Sequence, residues 1–375
     1  MKKVKLLKTL LIPTLGITAI GAIAAVSTSC SSSDVPVTSY ICVASNADST
    51  LELINESVYN PDLQYSIDGS HWVTYSETLN IPANREIYLR GNNKNYWSLS
   101  KQIYSHFSIT GNVSISGNVM SLLDNGTGAI SSIPNDYCFY KLFIGSTGIT
   151  MVSEDFLPAT TLANHCYYSM FKCCSSLTTA PDLPATTLAD HCYSQMFYEC
   201  TSLTTAPDLP ATTLADRCYY DMFHACTSLT SAPETLPATS LVDGCYQGVF
   251  ANCTSLTTAP QLPATQLTDY CYDCMFYGCT SLTTAPDLPA TKLATACYNW
   301  MFLGCTLLNS VRISYAGTAA EAPNGAFTSW VTGVAATGTF YYNGPSSVQD
   351  FGFSSNWIKE PFNTKDYQTI FIKQA

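Results

Sequence analysis

Residues 183–208 read LPATTLADHCYSQMFYECTSLTTAPD, and residues 209–234 read LPATTLADRCYYDMFHACTSLTSAPE. Copies of this unit start at Leu157, Leu183, Leu209, Leu236, Leu262 and Leu288. The intervals are 26, 26, 27, 26 and 26 residues, the longer one caused by an extra Thr near Thr235. A fixed period of this size is the signature of a solenoid, whose units bury their apolar faces on one another. A degenerate copy precedes the six: Cys138 to Phe143 matches Cys192 to Phe197, with Ser146 where a second Cys would stand. Terminal units of a solenoid are expected to be atypical because they cap the stack.

Comparing one slot across copies divides scaffold from surface. Two residues before the first Cys stand Asn164, Asp190, Asp216, Asp243, Asp269 and Thr295, all favoured at helix N-termini. A helix of about ten residues is therefore predicted from that slot to the second Cys. Its constant members are Cys192, Tyr193, Met196, Phe197 and Cys200, at i, i+1, i+4, i+5 and i+8, which predicts one buried stripe. The intervening positions change freely and are predicted to face solvent. Pro207 and Pro210 then forbid helix and permit only short strands. The expectation is an α/β leucine-rich-repeat solenoid, one short helix and one short strand per unit, preceded by a small all-β sandwich.

The spacing Phe197-x-x-Cys200-x-x-Leu203, recurring in register from Cys138 to Leu308, resembles the BspA-like leucine-rich-repeat surface proteins. The sequence departs from that pattern by Met-Phe where the family often has Ala-Phe, and by a second Cys per copy. The resemblance implies a cell-surface protein engaged in adhesion or host contact and names no ligand.

Upstream, residues 1–29 carry Lys2, Lys3, Lys5 and Lys8, then an apolar run over 9–26, and end in small residues before Cys30. This resembles a lipoprotein signal of wall-less bacteria, although Ser27 stands where Leu or Val is commoner. It predicts cleavage and acylation at Cys30, and membrane attachment through that lipid. An uncleaved anchor and an ordinary secretory signal are the alternatives. All three place the rest of the chain on the extracellular side. The expected organisation is a signal at 1–29, a tether at 30–36, the β domain at 37–130, the solenoid at 131–315 and a C-terminal cap at 316–375.

In the β domain, the runs 63–67 and 71–75 alternate around Asp68-Gly69-Ser70, a hairpin signal. Residues 86–89 and 106–119 continue the pattern, with turns at Gly111-Asn112 and Gly117-Asn118. Trp72 and Trp97 read as packing rather than as a glycan platform. Strand-like runs at 339–342 and 369–372 are expected to close the far end of the solenoid.

Charged residues are 11% of the chain, against about 25% in an ordinary soluble protein, and the net charge is −11. Without residues 1–29, 12 basic residues face 27 acidic ones, a net charge of about −15. A phosphate backbone is repelled by such a chain, so nucleic acid is excluded as a partner. The sequence has no HExxH, GxSxG or P-loop, and no enzyme or cofactor is expected. The 17 Cys read as buried thiols. Two Cys eight residues apart on a helix lie about 12 Å apart, beyond the roughly 7 Å limit of a disulfide. Cys173 and Cys274 fall outside the stripe and read as exposed and reactive. His165-Cys166 and His191-Cys192 suggest zinc, but the His slot becomes Arg217, Gly244, Tyr270 and Ala296 elsewhere, so no metal site is expected. N-capping accounts for the Asp ladder better than calcium does.

The variable slots supply the candidate interaction surface: Tyr168, Lys172, Tyr198, Glu199, Tyr220, Asp221, His224, Tyr277, Trp300 and Leu303. The uniform Thr pairs, such as Thr204-Thr205 and Thr257-Thr258, form the competing face. The leading expectation is a non-catalytic lipoprotein that binds a host protein or matrix component. A display protein without a specific ligand and a carbohydrate-binding β domain are the alternatives.

Overall fold

The computed structural model describes residues 39–55, 61–93, 98, 100–101 and 104–361. The signal, Cys30, the tether, Trp97 and the run at 369–372 lie outside the described residues.

Eight strands open the described chain: β1 (Ile41–Ser45), β2 (Ser49–Asn55), β3 (Gln64–Ser66), β4 (Val73–Thr74), β5 (Leu79–Ile81), β6 (Arg85–Arg90), β7 (Ser105–Thr110) and β8 (Val113–Gly117). A four-residue helix α1 (Ser121–Asp124) and strand β9 (Ile149–Val152) follow. One sheet has the order β4-β3-β6-β1-β8-β9, and a second has β5-β2-β7. The β3–β4 hairpin forms where Asp68-Gly69 predicts it, with Gly69 at φ 71°. The Asp68 carboxylate accepts the backbone N–H groups of Ser70 and His71 at 2.9 and 2.8 Å, which fixes that turn. Strand β9 pairs parallel with β8, so the larger sheet takes its last strand from the repeat region.

The repeats do not form helices; α1 is the one α-helix among the described residues. The expectation of an α/β solenoid is therefore overturned. Each predicted helix is instead a ribbon of consecutive turns. In the coil holding Cys192, alternate N–H groups stay within the coil and leave it. Cys192, Ser194, Met196 and Tyr198 donate to the carbonyl three residues back, at 3.2 Å each. Tyr193, Gln195, Phe197 and Glu199 donate to Cys218, Tyr220, Met222 and His224 of the next coil, at 2.8–3.0 Å. Every fourth residue takes a left-handed conformation: His191, Gln195 and Glu199 here (φ 53°, 55° and 58°), and Gly244, Gly248 and Asn252 two coils on.

The physical reason lies in the period. A 3.6-residue helix carries residue i+8 roughly 80° around from residue i. A period of four keeps Cys192, Tyr193, Met196, Phe197 and Cys200 all inward, and all are buried. The ribbon also satisfies half of its N–H groups on the neighbouring coil, which stitches the stack together. The expected N-caps therefore do different work. The side-chain oxygens of Asn164, Asp190 and Asp269 accept the backbone N–H of Asp190, Asp216 and Thr295 in the following coil, at 3.0, 3.2 and 2.8 Å.

This arrangement fixes the sign of a substitution. Ala225 sits at φ 58°. Left-handed backbone costs a residue with a Cβ about 1–2 kcal/mol, and Gly escapes it. Ala225→Gly should therefore leave stability unchanged or raise it by up to about 1 kcal/mol, whereas the same change inside a helix costs about 1 kcal/mol. Denaturant unfolding of the variant checks this, and a clear loss would restore the helix.

The predicted short strands are mostly reduced to single parallel bridges, such as Thr187↔Thr213, Thr205↔Ser231 and Ser231↔Thr258. Two prolines per unit remove the ladder donors that a longer strand needs. Regular strands return near the end: β10 (Thr284–Leu288), β11 (Ser310–Ile313), β12 (Gly338–Tyr341) and β13 (Trp357–Glu360) form a parallel sheet in that order.

Inside the coils, equivalent rings stack face to face. Phe143, Phe171, Phe197, Phe223, Phe250, Phe276 and Phe302 form one column with centroids 5.4–5.9 Å apart. Phe139 and Tyr167 through Tyr298 form a second, spaced 5.6–6.1 Å. At one end Phe107 of β7 stacks on Phe143 at 5.6 Å, and the Ser146 hydroxyl donates to the Phe107 carbonyl at 2.7 Å. Ser146 replaces Cys because its partner here is a strand of the β sheets. At the other end the ribbon continues through 324–333, where Tyr298, Trp300 and Phe302 donate to Ala326, Thr328 and Trp330. Trp330 and Phe351 then close the stack. One apolar core therefore runs unbroken from Ile41 to Trp357.

Candidate functional site

Fourteen of the sixteen described cysteines are buried, and all sixteen are free thiols. The second Cys of each unit has a structural task. The thiols of Cys174, Cys200, Cys226, Cys253, Cys279 and Cys305 donate to the Phe carbonyl of the preceding coil at 3.0–3.1 Å. Burial pushes the Cys200 thiol well up, so it stays protonated and keeps donating. Cys173 and Cys274 are not the exposed, reactive thiols that their position outside the stripe implies: both are half-buried, each against a carboxylate. Cys173 donates to Glu199 at 3.3 Å and Cys274 to Asp273 at 3.2 Å. Desolvation and then the neighbouring carboxylate raise both thiols, which disfavours the nucleophilic thiolate.

Most variable slots lie on the outside of the turn ribbon, but Ser169, Ser194, Ala251 and Asp273 in them are buried, against the expectation that all face solvent. The ten candidate residues fall into two groups there, because equivalent side chains meet their neighbours in the stack. In the N-terminal coils the groups cover one another. Tyr168 stacks on Tyr140 at 5.3 Å. The Lys172 ammonium sits 4.0 Å from the Tyr198 ring centroid and donates to Gln195 at 3.2 Å. Tyr198 stacks on His224 at 4.6 Å and 12°. His224 lies 3.4 Å from the Asp221 carboxylate and 3.2 Å from the Asn252 amide. Tyr220 is half-buried; desolvation, and then Asp221, push its hydroxyl up to about 12. Of this group only Glu199 is exposed. These side chains pack into a polar and aromatic lattice.

In the C-terminal coils the candidates stand apart. Trp300 is 44% exposed. Tyr277 and Leu303 are half-buried neighbours in one column. Tyr270, absent from the sequence-derived set, is 43% exposed in the next column. Its signal was present, since it shares the variable slot of His165, His191 and Arg217.

That slot holds a second lattice. Tyr137, His165 and His191 stack at 4.6 and 4.7 Å. Desolvation, and then the neighbouring His191, push His165 down from 6.5 to about 4. His191 is lowered by desolvation and then by Arg217. A depressed histidine is neutral in the fold, and acid favours the unfolded state, which binds the proton sooner. Its contribution is intact above about pH 6.5 and is lost as pH falls toward about 4. Thermal unfolding across that window should show declining stability in the unmodified chain and a flatter profile in His165→Gln. Equal profiles would show that the stacked pair is not desolvated.

The opposite face is uniform. Thr204, Thr205, Thr257, Thr258, Thr283 and Thr284 are exposed, and the Thr230 hydroxyl donates to the Thr204 carbonyl at 3.1 Å. In the β domain, Trp72 is half-buried under Tyr40 at 4.7 Å, with the Arg90 guanidinium 4.0 Å from its ring centroid. It is held as packing.

No protein-family model matches the chain, and no curated protein matches it. Among solved structures, a leucine-rich repeat protein from Bacteroides ovatus aligns over 67% of this chain and 86% of its own, at 14% identity and a TM-score of 0.25. At that likeness the architecture of this chain rests on its own hydrogen bonds and ring stacks.

Proposed function

We propose that this chain is a non-catalytic lipoprotein, exported by residues 1–29 and anchored at the outer face of the cell membrane through an acylated Cys30. Residues 30–36 serve as its tether, 37–130 as a β domain, 131–315 as the solenoid and 316–375 as the cap. The outer ribbon of the solenoid is its contact surface for a host protein or matrix component. The observation that supports this reading is the division of each unit. Inward Cys, Tyr, Phe and Cys positions are constant across six coils and Met is replaced once, by Val249, while most variable positions face outward and include aromatic side chains of the kind that anchor contacts. The net charge of −11 opposes a nucleic-acid partner.

Two measurements test the reading. Mass spectrometry of the membrane fraction should find a diacylated Cys30 at the mature N-terminus; an intact leader would end the anchoring claim. The chain from Ser31 should adhere to host cells or matrix, and alanine changes on the outer ribbon should weaken adhesion while changes on the Thr face do not. Adhesion indifferent to both sets, or no adhesion, would leave display without a ligand.

A further inference from the structure

Two neighbouring coils carry aromatic rings that no other ring of the ribbon stacks on. Tyr270 stands between Gly244 and Ala296 in its column, as the ladder bonds from Gly244 to Asp269 and from Tyr270 to Thr295 establish. Trp300 stands between Cys274 and Ser329, and Tyr277 between Ala251 and Leu303. None of the three has an aromatic neighbour in its column. Elsewhere on the ribbon, Tyr137, Tyr168, Tyr198, His165 and His191 lose their faces to each other or to a cation.

The fold does not ask for rings at these corners. Tyr270 and Trp300 sit at φ 56° and 52°, a backbone that bulky side chains rarely adopt. The equivalent corners one and two coils earlier are Gly244 and Gly248, which adopt it freely. Neither ring packs on a ring in the neighbouring coil, so their exposed faces are open to contact. The polar group between the rings is already engaged: Asp273 accepts from Gln247 and Asn299, each at 2.8 Å. It is buried, with both oxygens engaged, and offers no free acceptor to a ligand.

We propose that Tyr270, Tyr277 and Trp300 form a binding face for a neutral polysaccharide. The proposal deepens the contact reading given above and rests on it. The apolar C–H face of a hexose matches an open aromatic face. Gly244 and Ala296 raise no walls beside Tyr270, so an extended flat chain suits this surface better than a ligand that needs a pocket. Asp243 and Asp269 beside it, in a chain of net charge −11, repel anionic glycans.

The test is affinity electrophoresis of the full chain in detergent, through gels containing a soluble β-glucan, mannan or xylan. Hyaluronate is the anionic control, and choline is the small-cation competitor. At least one neutral polymer should retard the chain, unaffected by choline. Tyr270→Gly combined with Trp300→Gly should weaken that retardation at least about tenfold, with the melting temperature kept, because glycine suits both corners. Trp300→Ser, copying Ser329, is the second variant. Thr257→Ala, exposed on the opposite Thr face, should leave retardation unchanged. Retardation by no neutral polymer, by hyaluronate alone, or equally in the double variant would overturn the proposal, as would release by choline. Adhesion to a matrix protein without any glycan retardation would overturn this proposal and leave the contact reading standing. Failure in both assays removes both.

Discussion

Phe197→Ala should lower the unfolding free energy by about 3–5 kcal/mol, measured by denaturant titration. The ring is fully buried and lies between Phe171 at 5.7 Å and Phe223 at 5.6 Å, within 5° of parallel to both. Truncation therefore opens a cavity at two coil interfaces at once. In a solenoid, stability is held in such nearest-neighbour interfaces, so damage in a central coil weakens both halves. The backbone around Phe197 is stitched to Met222 by its N–H and resists collapse into the cavity. Glu199→Ala in the same coil should cost less than about 1 kcal/mol, because its carboxylate is exposed and loses one thiol hydrogen bond. Equal effects at the two positions would refute the ring column.

Gly117→Ala should be as damaging, at about 3 kcal/mol or more. Gly117 ends β8 at φ 85° and pairs with Ile41 of β1. The conformation alone costs a residue with a Cβ about 1–2 kcal/mol. The added methyl would also run into the backbone carbonyl of Tyr40, which cannot swing aside without moving β1. That strand is the centre of the six-stranded sheet, between β6 and β8. Gly128→Ala makes the control. It shares a positive φ of 70° but meets nothing within 4 Å, so it should show only the conformational part. Chemical denaturation of the pair separates the two contributions.

Repetition in the chain implies coils of about 26 residues and marks the side chains they bury. Cys192, Tyr193, Met196, Phe197 and Cys200 are all inside, as their constancy across copies implied. The sequence also determined the β3–β4 hairpin, because Asp68-Gly69 is a local backbone preference that needs no distant partner. The tertiary structure decided what lies between those inward residues. A stripe at i, i+1, i+4, i+5 and i+8 is nearly the same for a helix and for a ribbon of period four. The choice falls to the ribbon because alternate N–H groups find carbonyls on the next coil, which a single unit does not contain. The clue was present in Gly244, Gly248 and Asn252, spaced by four, the residues that accept left-handed backbone most readily.

The same logic governs the surface. Variability marked Tyr168, Tyr198 and Trp300 alike, since it measures only freedom from the core. Whether a ring is open depends on what stands in the equivalent slot one coil away. Tyr198 meets His224 at 4.6 Å and is covered; Trp300 meets Cys274 and Ser329 and is not. That pairing joins residues some 26 positions apart and is set by how the coils stack, so tertiary structure alone determines it.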